Sequence, residues 1–352
     1  MSRRARKTRR EFLKDAARVA GAASLAGLAG CFPEVGGHWP HVTEQCLDGT
    51  QLTPNPGTSR VTEVFCEASV VTEPRYALNA EAMRPMVDAV LGGLAPSIAE
   101  LWSRAFPDFT QETRIGIKVN CLNVDCATSV PLVKALVDLL KETLRLDAER
   151  IIVWDRRLDE LTRCKFTEEA VGCRVMGTIN STKDAGGPGY GEPICGAVAG
   201  KMPRLSRLLT DLTDVTINVP VLKTHGVSGV TAAFKNIYGI IDNPADYHDN
   251  LVTAMPELYR LPPIRKSLRL HLLDAFQAVT VGGTSDPSDC TPKLVAASLD
   301  PLAFDAYSLN LVNKLRAARG VGAVDSKVTG WLEGAFKAGL GTLEHELVQM
   351  TI

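Results

Sequence analysis

Several things are missing from this chain of 352 residues. Beyond the N-terminal region there is no run of about 18 apolar residues, so no spanning helix is expected there. No C-x-x-C occurs among the nine cysteines, and no C-x₂-C-x₂-C run either. Zinc-ribbon and ferredoxin-type ligation by cysteine are therefore not expected. Net charge is also missing: 39 Lys and Arg against 40 Asp and Glu leave −1, which argues against a nucleic-acid partner. No internal repeat or low-complexity tract is present. With 45% hydrophobic and 22% charged residues, disordered, collagen-like and coiled-coil chains are excluded.

The near-zero charge averages two unlike parts. Residues 1–18 carry eight basic side chains against Glu11 and Asp15, so the chain beyond residue 30 keeps 31 basic and 38 acidic residues, a net −7. Thr8-Arg9-Arg10-Glu11-Phe12-Leu13-Lys14 matches the twin-arginine export consensus, with Arg9 and Arg10 as its pair. The Ala, Gly and Leu stretch from Ala16 to Gly30 is too short and too weakly apolar to span a bilayer and suits a signal peptide. It ends Leu28-Ala29-Gly30-Cys31, the lipobox pattern, which makes Cys31 the expected lipidation site. Acyl chains there contribute about 0.8 kcal/mol per buried CH₂. The expected partners are the twin-arginine export machinery and a membrane held through Cys31, with the body periplasmic or at the cell surface. Residues 31–60, rich in Pro and Gly, read as a tether.

Eight cysteines remain once Cys31 is set aside. In an oxidising compartment they allow up to four bridges. Proximity in the chain suggests Cys121–Cys126 and Cys164–Cys173, and free buried thiols are equally compatible.

From Val61 onward the pattern becomes regular. Strands are expected at Val61–Val71, Arg114–Asn120, Arg150–Asp155, Arg174–Ile179, Thr213–Val219, Leu268–Asp274 and Leu294–Ser298. Helices are expected over Ala80–Phe106, broken near Gly92-Gly93 and Pro96, and over Val130–Leu146, Leu158–Val171, Tyr247–Arg260, Leu302–Arg316 and Lys327–Lys337. This alternation predicts an α/β fold, a mostly parallel sheet with helices on both faces. Although about 150 residues per domain suggests two domains, residues 61–352 read as one large domain. The glycine-rich Ala185–Gly191 mimics a phosphate loop but does not lead from a strand into a helix, so a surface turn is the better reading.

Four expected strands end in polar groups that strands do not need: Lys118 and Asn120, Asp155, Lys223-Thr224-His225, and Asp274. In open parallel sheets ligands bind outside the carboxyl ends of the strands, so these groups converge if their strands are neighbours. Polar residues are densest over Asn218–His248, among Gly226, Gly229 and Gly239. Lys223 and Lys235 suit a carboxylate or phosphate. His225 or His248 suits proton transfer near neutral pH. Asp155 and Asp274 suit orientation of a histidine or a divalent metal, with helix capping as the plainer role. His271, alternating with apolar neighbours, reads as core.

The run Ile217-Asn-Val-Pro-Val-Leu-Lys-Thr-His-Gly-Val-Ser-Gly-Val-Thr-Ala-Ala-Phe-Lys-Asn-Ile-Tyr-Gly-Ile-Ile241 resembles the central motif of the family called domain of unknown function 362. Ile117-Lys118-Val119-Asn120 and Ala297–Ala306 resemble its flanking motifs, and the resemblance spans about residues 61–320. Some members resemble iron–sulfur proteins through ferredoxin-type cysteine runs, which this chain does not have. The resemblance adds Lys118, Asn120, Thr224, Asn236, Asp300 and Asp305 as substrate-binding candidates beside the catalytic candidates His225, Lys223 and Lys235. The expected function is that of an exported lipoprotein enzyme acting on a small anionic substrate. The alternative is a non-catalytic lipoprotein that binds an anionic ligand or a metal. A redox protein using Cys121 and Cys126 is a third possibility.

Overall fold

The structure, a computed structural model, describes residues 52–72, 76–194 and 198–352. These fall within one unit. Arg9, Arg10, Cys31 and most of the 31–60 segment lie outside the described residues. Among the described residues no helix is long and apolar enough to cross a membrane.

The strands are β1 (Ser59–Phe65), β2 (Val70–Val71), β3 (Ala77–Leu78), β4 (Ile115–Lys118), β5 (Ile151–Arg157), β6 (Arg174–Ile179), β7 (Tyr190–Pro193), β8 (Arg204–Ser206), β9 (Val215–Asn218), β10 (Val221–His225), β11 (Gly229–Thr231), β12 (Leu268–Val279), β13 (Leu294–Ser298) and β14 (His345–Thr351). The helices are α1 (Ala80–Gly92), α2 (Ile98–Ala105), α3 (Val130–Leu144), α4 (Leu158–Arg163), α5 (Glu168–Val171), α6 (Arg207–Thr210), α7 (Ala233–Asn236), α8 (Leu251–Arg260), α9 (Pro262–Ser267), α10 (Pro301–Ala318) and α11 (Trp331–Lys337).

The main sheet runs β14-β1-β13-β12-β9-β4-β5-β6, with β10 on β12 and β11 on β10. Strands β12, β9, β4, β5 and β6 are mutually parallel. Antiparallel pairing enters where β13 joins β12 and β1. The mostly parallel α/β architecture expected from the alternation is therefore the observed one.

Both faces of the sheet are buried, and the two-residue period of the strands divides them. In β5, Ile151 and Val153 face one core while Ile152 and Trp154 face the other. The first core holds Met86, Val87 and Val90 of α1 and Leu132, Leu136 and Leu140 of α3. The second holds Phe234, Leu258, Phe304 and Trp331 from α7, α8, α10 and α11. Each such side chain contributes about 1.5–3 kcal/mol by burial. Local signals fix the helix ends: Asn79 caps α1 through Glu81 N, Ser97 caps α2 through Glu100 N, and α3 stops at Arg145 in a left-handed conformation (φ 55°).

Several elements differ from the periodic reading. Val61–Val71 is not one strand, because Ser69 donates from both N and Oγ to Cys66 O and closes a 3₁₀ turn at Glu67–Ser69. Leu158–Val171 is two helices: Lys165 adopts a positive φ of 68°, and Thr167 then caps α5 through Ala170 N. The expected Tyr247–Arg260 helix starts only at Leu251, after a 3₁₀ turn at Pro244–Tyr247. Strand β1 begins at Ser59, inside the expected tether. The glycine-rich 185–189 stretch is irregular and leads into β7.

Candidate functional site

The strands β12, β9, β4 and β5 are neighbours, so the polar residues at their carboxyl ends meet. Lys118 stands beside Trp154 on one side and Asn218 on the other, and Asn218 beside His271. Lys118 is 1% exposed, and its Nζ donates to Asp155 Oδ1 and to Val119 O, both at 2.7 Å. Asp155 also accepts from Cys121 N and Arg156 N at 2.7 Å each. Next to this ion pair runs a chain of amides. Lys223 Nζ donates to Asn120 Oδ1 (3.1 Å), Asn120 Nδ2 to Asn236 Oδ1 (3.0 Å), and Asn236 Nδ2 to Asn218 Oδ1 (2.8 Å). Asn218 Nδ2 lies 3.3 Å from His271 Nδ1, and His271 Nε2 lies 3.3 Å from the Tyr259 hydroxyl. Burial pushes the Lys223 ammonium below its ordinary value. His271 is the core residue expected, but it also anchors this chain.

The Phe234–Gly239 turn lies against the strand ends because Gly239 has no side chain. A Cβ at Gly239 would stand 2.8 Å from Lys118 Nζ and 3.1 Å from Asp155 Oδ1. Asp305, fully buried on α10, places the start of this turn by accepting from Ala233 N (2.6 Å) and Phe234 N (3.1 Å).

The other half of the site gathers around Lys235. Its Nζ sits 4.0 Å from the centroid of the Tyr238 ring and has no hydrogen bond or ion pair among the described residues. Burial pushes this amine down to about 7. The Tyr238 ring meets His248 edge-on at 5.5 Å, and His248 lies tilted by 31° against His225 at 5.7 Å. Among the described residues the buried Tyr238 hydroxyl and Thr231 Oγ1 have no partner. Lys223 and His225 point to the same side of β10 by strand alternation. Thr224 points to the other, where its hydroxyl donates to Gly282 O at 3.3 Å. Gly229 lets the β10–β11 hairpin close at φ 77°, where a Cβ would press on Thr329 at 2.6 Å.

The two imidazoles differ in tautomer. His225 Nδ1 accepts from Val227 N and Ser228 N at 3.2 Å each, so its neutral ring carries the proton on Nε2, the nitrogen that can donate. Burial, Lys235 and His248 push His225 down to about 3. His248 Nδ1 lies 2.8 Å from Pro244 O, which only accepts, so Nδ1 carries the proton and Nε2 keeps its lone pair. Of the two histidines expected to transfer a proton, His248 has the nitrogen that can accept one and His225 the nitrogen that can donate. That assignment depends on the Pro244 carbonyl, a contact with no signature in the sequence.

Four expected site residues work elsewhere or otherwise. Asp155 does not orient His225; its oxygens are engaged by Lys118 and two backbone N–H groups. Asp274 accepts from Ser129 N (2.7 Å) and Phe276 N (3.3 Å), and burial pushes it up to about 6. Asp300, expected at the substrate, caps α10 through Leu302 N and Ala303 N (2.9 Å each) and ties down Ser59 and Thr342. Asp305 holds backbone rather than facing the open group. Among the described residues no group of three or more His, Cys, Asp or Glu is placed to hold a metal ion, and Asp155 and Asp274, expected there, are engaged by Lys118 and by backbone N–H groups. Neither expected bridge is present: Cys121, Cys126, Cys164 and Cys173 are all free, and Cys121 lies against Cys164 instead.

A family model described as domain of unknown function (DUF362) matches residues 115–310, from the start of β4 into α10. No curated protein matches the chain significantly. Among solved structures, the lactate racemase apoprotein from Thermoanaerobacterium thermosaccharolyticum is similar over 74% of this chain and 58% of its own, with 11% identity and a TM-score of 0.44. A protein from Thermotoga maritima is similar over 68% of this chain and 59% of its own, with 11% identity and a TM-score of 0.36. The chain thus spans less than two thirds of the length of either.

Proposed function

The chain belongs to the DUF362 family, and from that premise we propose that it is an enzyme performing acid–base chemistry on a small anionic substrate, a carboxylate or phosphate, bound over Lys235. One observation carries this reading. The Lys235 amine is buried against the Tyr238 ring, whose hydroxyl has no partner, and beside the two imidazoles, with no carboxylate to balance it among the described residues. A buried cation without a counter-ion is costly, and an incoming anion removes that cost. In contrast, Lys118 is already neutralised by Asp155, so it supports the site rather than binding the substrate.

In this reading Lys235 takes the anionic group, and the Tyr238 hydroxyl donates a hydrogen bond to it. His248 Nε2 accepts the proton, and His225 Nε2 donates to the oxygen on which charge develops. Lys223 and the amide chain hold Asn236, and with it the Lys235 backbone, in place.

Binding of an anion raises the Lys235 pKa from about 7 and draws in a proton. Titration calorimetry with inorganic phosphate or acetate near pH 7.5, in buffers of different ionisation enthalpy, should therefore show proton uptake in the wild type. Lys235→Met should abolish both binding and uptake. Binding that persists in Lys235→Met would overturn the reading.

The same proposal places the protein outside the cytoplasm, anchored through Cys31. It is supported by the Thr8–Lys14 export pattern and the Leu28–Cys31 lipobox. Labelled fatty acid should enter the wild type and not Cys31→Ala, and replacing Arg9 and Arg10 with Lys should retain the protein in the cytoplasm.

A further inference from the structure

Chain proximity pairs Cys121 with Cys126 and Cys164 with Cys173, whereas the fold sets Cys164 against Cys121. Cys164 Sγ lies 3.6 Å from the carbonyl oxygen of Cys121, which sets the two cysteines side by side although 43 positions separate them in the chain. The two differ in access. Cys164 follows α4 as its C-terminal cap, half-buried between the exposed Arg163 and Lys165. Cys121 is 1% exposed, directly after Asn120, and its N–H is held by Asp155. An accessible thiol with a second thiol buried directly against it is the arrangement that thiol–disulfide exchange needs.

We propose that Cys164 and Cys121 are a reversible disulfide site, closed by exchange with a small disulfide. The Cys164 thiolate attacks one sulfur of the incoming disulfide, forming a mixed disulfide and releasing one thiolate. Cys121, deprotonated as it attacks, then bonds to the Cys164 sulfur and displaces the second thiolate. The protein loses two thiol hydrogens, and the oxidant is reduced to two thiols. The electrostatics favour this order. The neighbouring Cys121 side chain holds the Cys164 thiol below its ordinary value, with help from Lys223 and Arg163, against burial and Asp155. Burial holds the Cys121 thiol well above its ordinary value, so it attacks second.

The bridge would tie the end of α4 to the turn after β4, where Asn120 receives Lys223. Closing so long a loop restricts the unfolded chain, so the oxidised protein should melt several degrees higher.

The test uses the full chain, purified reduced and equilibrated with graded ratios of oxidised to reduced glutathione. Peptide mapping by mass spectrometry should find a Cys121–Cys164 cross-link and no other bridge among the described cysteines, with the melting temperature raised in step. Cys121→Ser should accumulate a glutathione adduct on Cys164, while Cys164→Ser should form neither the bridge nor an adduct at Cys121. Absence of the cross-link in the wild type at every ratio would overturn the proposal, as would a bridge joining Cys126 or Cys173 to either partner. The wild-type map decides this even if Cys121→Ser fails to fold.

Discussion

At the scale of single residues, the site shows how neighbours determine what an ionisable group can do. Lys118 and Lys235 are both buried lysines near the same strand ends, yet one is saturated by Asp155 and the other has no counter-ion. Removing one member of a buried pair leaves an uncompensated charge, so Asp155→Asn should cost about 3–5 kcal/mol in urea unfolding. The histidines separate in the same way. His248→Ala should lower turnover of a small carboxylate or phosphate substrate about 10²–10⁴-fold while phosphate still binds in calorimetry. His225→Ala should cost less, because its open nitrogen donates rather than accepts. Equal losses in the two variants would count against His248 as the base. The polar residue types were legible in the sequence at Lys118, Asn120, Lys223, His225 and Lys235. Their pairings were not, because each depends on which strand lies next to which.

At the scale of elements, the Phe234–Gly239 turn links the two halves of the site. It faces the Lys118–Asp155 pair through Gly239, the amide chain through Asn236 and the histidines through Lys235 and Tyr238. Gly239→Ala forces a methyl against a buried, ion-paired ammonium and should cost about 1–3 kcal/mol of stability, measured by denaturant unfolding. The regular elements show the same division between local and distant causes. Helix α3 was visible in advance because its apolar residues recur at helical spacing. The break between α4 and α5 depends on one left-handed residue, Lys165, and a cap at Thr167 that periodicity does not register. The hairpin β10–β11 was hidden within the motif run. Its alternation separates Thr224 from Lys223 and His225, which the sequence presents as one block.

At the scale of the whole molecule, burial of acids deep in the fold makes stability depend on pH. Asp305 is pushed up to about 8 and Asp274 to about 6, from an ordinary 3.8, in each case chiefly by burial. Between about pH 4 and those values the folded state holds protons that the unfolded chain has released. Their stabilising contribution is therefore full below about pH 4 and is lost as pH rises through 6 and then 8. His271, pushed down to about 3 by burial, acts in the opposite sense, removing stability as pH falls below about 6.5. Stability measured by urea unfolding should therefore peak in mildly acidic buffer. In Asp305→Asn the decline between pH 6 and 8 should flatten, at a cost of about 1–3 kcal/mol from one backbone N–H left without an acceptor. An unchanged slope in that variant would show that Asp305 is ionised throughout.

The sequence by itself determined the class of fold and the composition of the site. Helical and two-residue periodicities are local, and the polar ends of apolar strands are local too, so both could be read along the chain. Tertiary structure decided which of those polar groups remain available. Asp305 reaches Ala233 and Phe234 across 72 and 71 positions, Lys223 meets Asn120 across 103, and Cys164 meets Cys121 across 43. Whether a buried charge is paired, and therefore whether it can receive a ligand, depends on contacts of that range. Those contacts follow from strand order and core packing, which no local pattern encodes.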